Sequence, residues 1–502
     1  MSNNKIRYDH LLVGKDSTIK EVMREIDLSG LSIACVVDSE KRLCGIVTDG
    51  DIRKALLEGK GLETPIFEIA NTKPFTVGVG ENVLERVKAL LQSNESAIKI
   101  PPGGSIKVPV LDGHGRVVDI VFFTPDAKEW KVPLFKVYNG DDDIQAAEKV
   151  LKRNTYWTLG PEILEFERII ANYVKTTYAL SFNSGTSASH AMLIAAGIGP
   201  GDEVIVPSFT FIATANAVKF VGATPVFADI EEETYALDPD SVLEKITHKT
   251  KAIMPMHYGG SVAKRIVDLA KLARDNGVLL FEDAAESLGA KLNEKFAGTF
   301  GIASALSFCG NKIITTGEGG AVITNDKAIY EKLKLVRSHG RLETQNYFDT
   351  SLPMDYVELG YNFRMPTIIA ALGISQMNKM EGIIAKRREI ANYFNGQLKN
   401  YVSVPFETEN SRNVYQMYTI KLDTEAERDN LQRRLTDLGI TTKIYFLPVH
   451  LSHYYGKVLG YTDKLEVTED LAKRVLTLPI YPSMSKEDID HVVNSVIDTM
   501  KH

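Results

Sequence analysis

The sequence predicts an α/β protein built on a mostly parallel sheet, preceded by a smaller α+β module. Three observations carry that prediction. Short apolar runs alternate with amphipathic helical patterns through the middle of the chain. A helix–strand–turn–strand unit occurs twice within residues 1–125. At 502 residues the chain also exceeds what one core organises, so two or three domains are expected.

The bulk numbers set the class. Apolar residues are 44% and charged residues 25%, the composition of a soluble globular protein. A net charge of -7 argues against a general nucleic-acid binder, which would carry a basic face. No apolar run nears the roughly 18 residues of a membrane span, and the first ten residues lack the apolar core of a secretory signal. A cytoplasmic location, with neither nucleic acid nor membrane as partner, is the expectation. Cys35, Cys44 and Cys309 show no metal-ligand spacing and cannot all pair. They are expected as small buried hydrophobes in a reducing compartment, with no metal site.

In the first repeat, Thr18–Ile26 is amphipathic with helical period, Ser32–Asp38 reads as a strand, Ser39–Arg42 as a turn and Leu43–Val47 as a second strand. Thr48-Asp-Gly-Asp51 then opens a helix over Ile52–Leu57. The second repeat runs from a helix at 82–91 through strands Lys107–Asp112 and Val117–Phe123. Two copies make a paired module, since a solenoid needs three or more. Two prolines and mixed charge around Thr124–Pro133 point to a linker over 126–134. The α/β domain is expected over 135–376, with strands at Glu203–Pro207, Thr224–Ala228, Lys251–Pro255 and Val278–Phe281, and helices at Pro239–Ile246 and Val262–Arg274. Strands of this kind between helices imply a sheet covered on both faces. From about Met377 a long charged helix begins a smaller α+β subdomain, 377–502.

Three features of the middle domain point to chemistry. Ser184-Gly185-Thr186 precedes a helical pattern, Asp283 ends an apolar run, and Lys312 leads into Thr315-Thr-Gly-Glu-Gly-Gly320. An anion seat, a strand-end carboxylate and a lysine are the protein groups that pyridoxal phosphate requires. The phosphate wants N–H groups and hydroxyls at a helix N-terminus, although Ser-Gly-Thr alone is more often a plain cap. A carboxylate favours the protonated pyridinium, and Asp283 would stand where open α/β sheets take ligands. Phe209 and Phe211 are candidates to stack on the ring, with Phe209 better read as core. Lys312 is the candidate Schiff-base lysine and acid–base group.

Residues from about 133 to 500 resemble the sugar aminotransferases of the DegT/DnrJ/EryC1/StrS group. The matching segments are Thr158–Glu167, Asn183–Ala188, Pro207–Thr214, Glu282–Ala290, Leu306–Gly320, Gly360–Met365 and Leu478–Met484. The run Gly310–Gly320 is similar to the perosamine-synthase branch. The resemblance implies aspartate-aminotransferase fold type I, with a seven-stranded sheet and a small C-terminal subdomain. It makes Lys312 the cofactor-bearing lysine and Asp283 the pyridinium partner. Gly185, Thr186 and Ser307 become phosphate contacts and Phe211 the stacking ring. Asn362 would reach the phosphate of a neighbouring subunit, implying a homodimer or larger homo-oligomer. Glu286 departs from the many relatives with Gln or His beside the cofactor's phenolic oxygen. A carboxylate there repels a phenolate unless one of them holds a proton. Lys312 argues against the dehydratase branch, where histidine replaces it.

The implied substrates are a nucleotide-linked 4-keto-6-deoxy sugar and glutamate, with the product entering a surface polysaccharide such as an O-antigen. A 3-aminotransferase, a dehydratase or a non-catalytic nucleotide-responsive sensor are the alternatives. His339, Arg341 and the Tyr445–His450 loop read equally as substrate contacts and as packing.

The N-terminal module resembles a CBS-domain pair. Its match is Gly45-Ile-Val-Thr48-Asp-Gly-Asp51, where that family places Thr and Asp on the ribose hydroxyls of an adenine nucleotide. The second copy offers the degenerate Phe123-Thr124-Pro125-Asp126, so at most one site is intact. Thr48 and Asp51 read equally well as ordinary helix caps.

Overall fold

The computed structural model describes residues 11–29, 32–81, 86, 106–123, 130–342, 349–351 and 353–501. It divides into two compact units, Met1–Glu129 and Trp130–His502.

The first unit repeats one construction. Strands β1 (Leu12–Gly14), β2 (Ile33–Val37) and β3 (Leu43–Thr48) form one sheet, with helices α1 (Ile19–Ser29) and α2 (Asp49–Leu57). Strands β4 (Val77–Gly78), β5 (Ile106–Leu111) and β6 (Val117–Phe123) form another. In each, the first pair is parallel and the second antiparallel. The hairpin turns share their chemistry. Asp38 Oδ1 accepts the N–H groups of Glu40 and Arg42 at 2.9 Å each, while Oδ2 accepts Arg42 Nε at 2.8 Å. Asp112 does the same with His114, Arg116 and Arg116 Nε, at 2.9, 2.9 and 2.7 Å. An aspartate that bonds its own turn in this way fixes the reversal. The hairpins then exchange backbone bonds reciprocally: Leu43 N to Gly115 O at 3.0 Å and Val117 N to Lys41 O at 3.2 Å. Leu11, Cys35, Val37, Val117 and Ile120 fill the core they share. The helix expected at 82–91, apart from residue 86, and Thr124-Pro125-Asp126 lie outside the described residues.

The second unit holds a seven-stranded sheet. Its strands are β7 (Tyr178–Phe182), β8 (Glu203–Pro207), β9 (Thr224–Ala228), β10 (Thr250–Ile253), β11 (Leu279–Asp283), β12 (Ala303–Ser307) and β13 (Gly320–Thr324). Their spatial order is β7–β13–β12–β11–β10–β8–β9. Only β13 runs against its neighbours. The mostly parallel sheet is as expected, and its near-continuous apolar strands follow from cover on both faces. One face packs on a cluster that includes Phe166, Ile170, Leu269 and Met380, the other on Met192, Val218 and Leu333.

A single helix, Thr367–Leu398, runs through the change of composition near Met377. Its buried stripe continues as Met377, Met380, Ile384, Arg387, Ala391, Phe394 and Leu398, alternating steps of three and four that keep one face inward. Met377, Met380 and Ile384 pack into the sheet's core. Ala391, Phe394 and Leu398 pack into a C-terminal core with Tyr418, Leu431, Leu476 and Val492. Apart from Arg387, which is buried and donates to the Tyr415 and Ile480 carbonyls, the charged residues of this stretch lie between those buried positions, so the shift in composition marks a change of partner and not an end of the helix. Among the described residues no helix is long and apolar enough to cross a membrane, and no cluster could hold a metal ion.

Candidate active site

The site forms where parallel strands end. After β7, Ser184 caps the helix Gly185–Ala195 and its Oγ accepts the Ser187 N–H at 3.0 Å. That leaves first-turn N–H groups and the positive end of the helix dipole facing outward. Ser307 ends the neighbouring β12. A Cβ added to Gly185 would lie 2.9 Å from Ser307 Cβ, and one on Gly320 would collide with the Ser184 carbonyl. The glycines therefore let three chain segments close into one small cradle, bringing Gly185, Thr186 and Ser307 together.

Asp283, the last residue of β11, is buried. Its Oδ2 accepts the Thr214 hydroxyl at 2.7 Å, which is itself 2.7 Å from the Thr210 hydroxyl. Its Oδ1 accepts the Ala285 N–H at 3.1 Å. Strand alternation turns Glu282 to the opposite side. There it accepts the N–H groups of Gly298, Phe300 and Gly301 at 2.8, 2.6 and 2.6 Å and meets His257 Nε2 at 2.7 Å. His257 Nδ1 accepts the Ala263 N–H at 3.1 Å, so the network assigns the imidazole proton to Nε2. Glu282 fastens the loop beneath the sheet, while Asp283 faces the site.

Lys312 Nζ donates to Glu286 Oε1 at 3.3 Å, and the side chains are 14% and 7% exposed. Glu286 Oε2 accepts the Gly259 N–H at 3.1 Å. The Tyr445 phenol belongs to the same surroundings. Burial and the Glu286 charge push it above the ordinary tyrosine range, against a lowering hydrogen bond with Asn311. Phe211 is 58% exposed and touches Phe446, ring centroids 6.3 Å apart, whereas Phe209 is core. Asn362 is exposed, and its carbonyl accepts Asn183 Nδ2 at 3.4 Å.

The structure thus brings Gly185, Thr186, Ser307, Asp283, Glu286 and Lys312 to the sheet's carboxyl edge. The cradle closed to any added Cβ, the buried carboxylate and the half-sheltered lysine fit pyridoxal phosphate. Thr214 and Gly259 join them without having been singled out, and Tyr445 joins them from the loop that read equally as substrate contact and as packing. A threonine pair four residues apart was a local signal for the first, whereas the Gly259 contact arises only from folding. Of the residues left open, His339 is exposed, Arg341 is buried with Nη2 3.4 Å from Ser338 Oγ, and His450 is buried. Cys35 is buried, its thiol pushed up to about 12 by burial. Cys44 and Cys309 are half-buried, contrary to expectation. Cys44 sits on a less buried position of β3, and Cys309 lies in the turn before Lys312.

In the N-terminal unit, Thr48 N and Oγ1 both donate to Asp51 Oδ2, at 2.9 and 2.7 Å. Asp51 N returns a bond to Thr48 Oγ1 at 3.3 Å. This is a capping box.

The DegT/DnrJ/EryC1/StrS aminotransferase family model matches residues 138–497. The chain belongs to this family. A CBS domain model matches residues 6–58, across the first repeat. The GDP-perosamine synthase of Escherichia coli O157:H7 is 38% identical over 337 residues, 67% of this chain and 90% of that protein. The GDP-perosamine synthase of Caulobacter vibrioides is 38% identical over 347 residues, 68% and 91% of the two chains. Helicobacter pylori PseC, an aminotransferase involved in the biosynthesis of pseudoaminic acid, superposes with a TM-score of 0.69 at 29% identity. That match covers 74% of this chain and 100% of PseC. The chain is accordingly a sugar aminotransferase of the DegT/DnrJ/EryC1/StrS family, with pyridoxal 5′-phosphate as cofactor and a CBS domain at its N-terminal side.

Proposed function

We propose that this aminotransferase converts a nucleotide-linked 4-keto-6-deoxy sugar to the 4-amino sugar, with glutamate as donor. The observation that carries it is the assembly of Lys312, Glu286 and Asp283 at the carboxyl edge of the sheet. The GDP-perosamine synthase relatives supply the substrate class.

Bound pyridoxal phosphate supplies an aldehyde to take the amino group and a ring to accept electrons. Gly185, Thr186 and Ser307 hold its phosphate. Asp283, held in place by Thr214, keeps the ring nitrogen protonated through its opposite charge. Phe211 covers a ring face. Lys312 Nζ takes the proton from glutamate Cα and later delivers one to sugar C4. Glu286, tied to the Gly259 N–H, orients Nζ between these tasks. One water supplies the new carbonyl oxygen as glutamate leaves as 2-oxoglutarate, and the sugar carbonyl oxygen leaves as another, so no net water is consumed.

In this reading the partner subunit's Asn362 completes the phosphate seat, so the working enzyme is a homodimer. It works in the cytoplasm, ahead of surface-polysaccharide assembly. The 1–125 module, joined through the linker 126–134, senses an adenine nucleotide through Thr48 and Asp51. The catalytic part divides into 135–376 and 377–502.

The test is incubation of the full chain with pyridoxal phosphate, glutamate and 4-keto or 3-keto nucleotide sugars. One 2-oxoglutarate per 4-amino sugar is expected. Turnover of 3-keto sugars alone would overturn the 4-keto assignment. Calorimetry with AMP and ATP tests the module, and silence from both would reject nucleotide sensing.

A further inference from the structure

A buried polar chain lies beside the site, and none of the roles above uses it. Ser208, the first residue after β8, is fully buried, and His450 is 1% exposed. Ser208 Oγ lies 2.6 Å from His450 Nδ1 and accepts the His450 backbone N–H at 3.0 Å. With the Glu469 carboxylate opposite Nε2, the assignment that satisfies every partner puts the imidazole proton on Nε2 and has the hydroxyl donate to Nδ1. Nε2 faces Glu469 Oε1 at 3.4 Å, and the same oxygen accepts the Leu465 N–H at 3.0 Å. The chain of donors runs from Ser208 through His450 to Glu469.

These are the residue types of a hydrolytic triad, but the wiring excludes one. The ring nitrogens are exchanged relative to a serine hydrolase of the Ser-His-Asp kind, and Ser208 has no exposed surface to offer a substrate.

What the chain does is fasten one wall of the site. The Val449 N–H donates to Ser208 O at 2.9 Å, and Tyr258 Oη donates to the Tyr445 carbonyl at 2.6 Å. The segment 445–449 is thus held at both ends. Between them, the Phe446 ring lies 6.5 Å from Phe209 and 6.3 Å from Phe211. On the other side of Ser208, the Thr210–Thr214 pair leads directly to Asp283. The relay therefore ties the strand-end loop that carries Phe211 to the far end of the segment that begins at Tyr445.

We propose that Ser208, His450 and Glu469 form a positioning relay that fixes Phe211 and Tyr445 against the bound cofactor. This rests on the reading of Phe211 as the ring-stacking residue. Breaking the relay frees Phe446, and the largely exposed Phe211 loses the neighbour that orients it. Cofactor retention then weakens while Lys312 and Asp283 keep their chemistry.

The test measures cofactor release from the full-length holoenzyme on dilution, with visible circular dichroism of the bound cofactor. Ser208→Ala deletes the donor. His450→Asn keeps an acceptor near the Nδ1 position but nothing at Nε2, and serves if Ser208→Ala does not fold. Phe211→Ala reports on the underlying reading. Release about tenfold faster from Ser208→Ala, the scale of one buried hydrogen bond, is expected with an altered dichroic band and a smaller change in His450→Asn. Phe211→Ala is expected to shift both readouts as well. If Phe211→Ala shifts both while the relay variants keep wild-type values, the relay is overturned and the stacking role stands. If Phe211→Ala leaves both unchanged, the stacking role fails, and with it the relay as a cofactor-positioning device.

Discussion

Lys312 Nζ stands 3.3 Å from Glu286 Oε1, and Glu286 is itself fixed by the Gly259 N–H at 3.1 Å. A carboxylate at this position therefore has a donor for each oxygen. The lysine, not the glutamate alone, answers the charge.

Removing one member of so sheltered a pair strands the other charge. Glu286→Ala is expected to lower the stability of the cofactor-free protein by about 3 kcal/mol, the scale for breaking a buried ion pair. Glu286→Gln should cost less, because its amide oxygen still accepts the Gly259 N–H. Urea midpoints of the two variants check the order.

Asp283→Asn keeps the shape of the side chain and removes its charge. A fall in kcat/KM of about 100-fold or more is expected, since the ring-nitrogen proton loses its counter-charge. Thr214→Val, which leaves the Asp283 charge in place but deletes its 2.7 Å hydrogen bond together with the Thr210 contact, should cost about tenfold. Steady-state kinetics with glutamate at saturation separates them.

The cradle tolerates no extra carbon. Gly320→Ala would drive a Cβ into the Ser184 backbone, and Gly185→Ala would press on Ser307. Overpacking of this kind costs roughly 1–3 kcal/mol. Gly320→Ala should be the worse of the two in melting temperature and in cofactor retained after gel filtration, because backbone yields less than a serine side chain.

His190 sits on the helix behind the cradle, ringed by Phe220, Tyr361 and Phe363 at centroid distances of 5.3, 5.2 and 5.7 Å. Burial holds its imidazole below the ordinary value of 6.5. The unfolded chain thus takes up this proton before the folded one does. Its contribution to stability is complete above pH 6.5 and is lost as pH falls toward the depressed folded value. Between those limits His190→Leu should lose stability less steeply than the wild type, as read from urea midpoints across pH.

Much of this was legible in local strings. Strands at Glu203–Pro207 and Thr224–Ala228 fall where their apolar runs placed them, because both faces of the sheet are covered and each run is bounded by turn residues. The meeting of Gly185, Asp283 and Lys312 at one sheet edge was legible too, since each lies in a short motif at the end of a strand or the start of a helix. What escaped depends on contacts between distant segments. The Gly259 N–H reaches Glu286 across 27 residues, and Ser208 meets His450 across 242. No periodicity records either. The helix Thr367–Leu398 was obscured differently, because charged residues interrupt its apolar runs past Met377 while the inward stripe continues beneath them.

The most direct measurement is borohydride reduction of the pyridoxal phosphate holoenzyme, followed by peptide mapping. The cofactor is expected on Lys312, with neither attachment nor amino-sugar formation in Lys312→Ala. Attachment to another lysine, or wild-type turnover by Lys312→Ala, would contradict the assignment of the site.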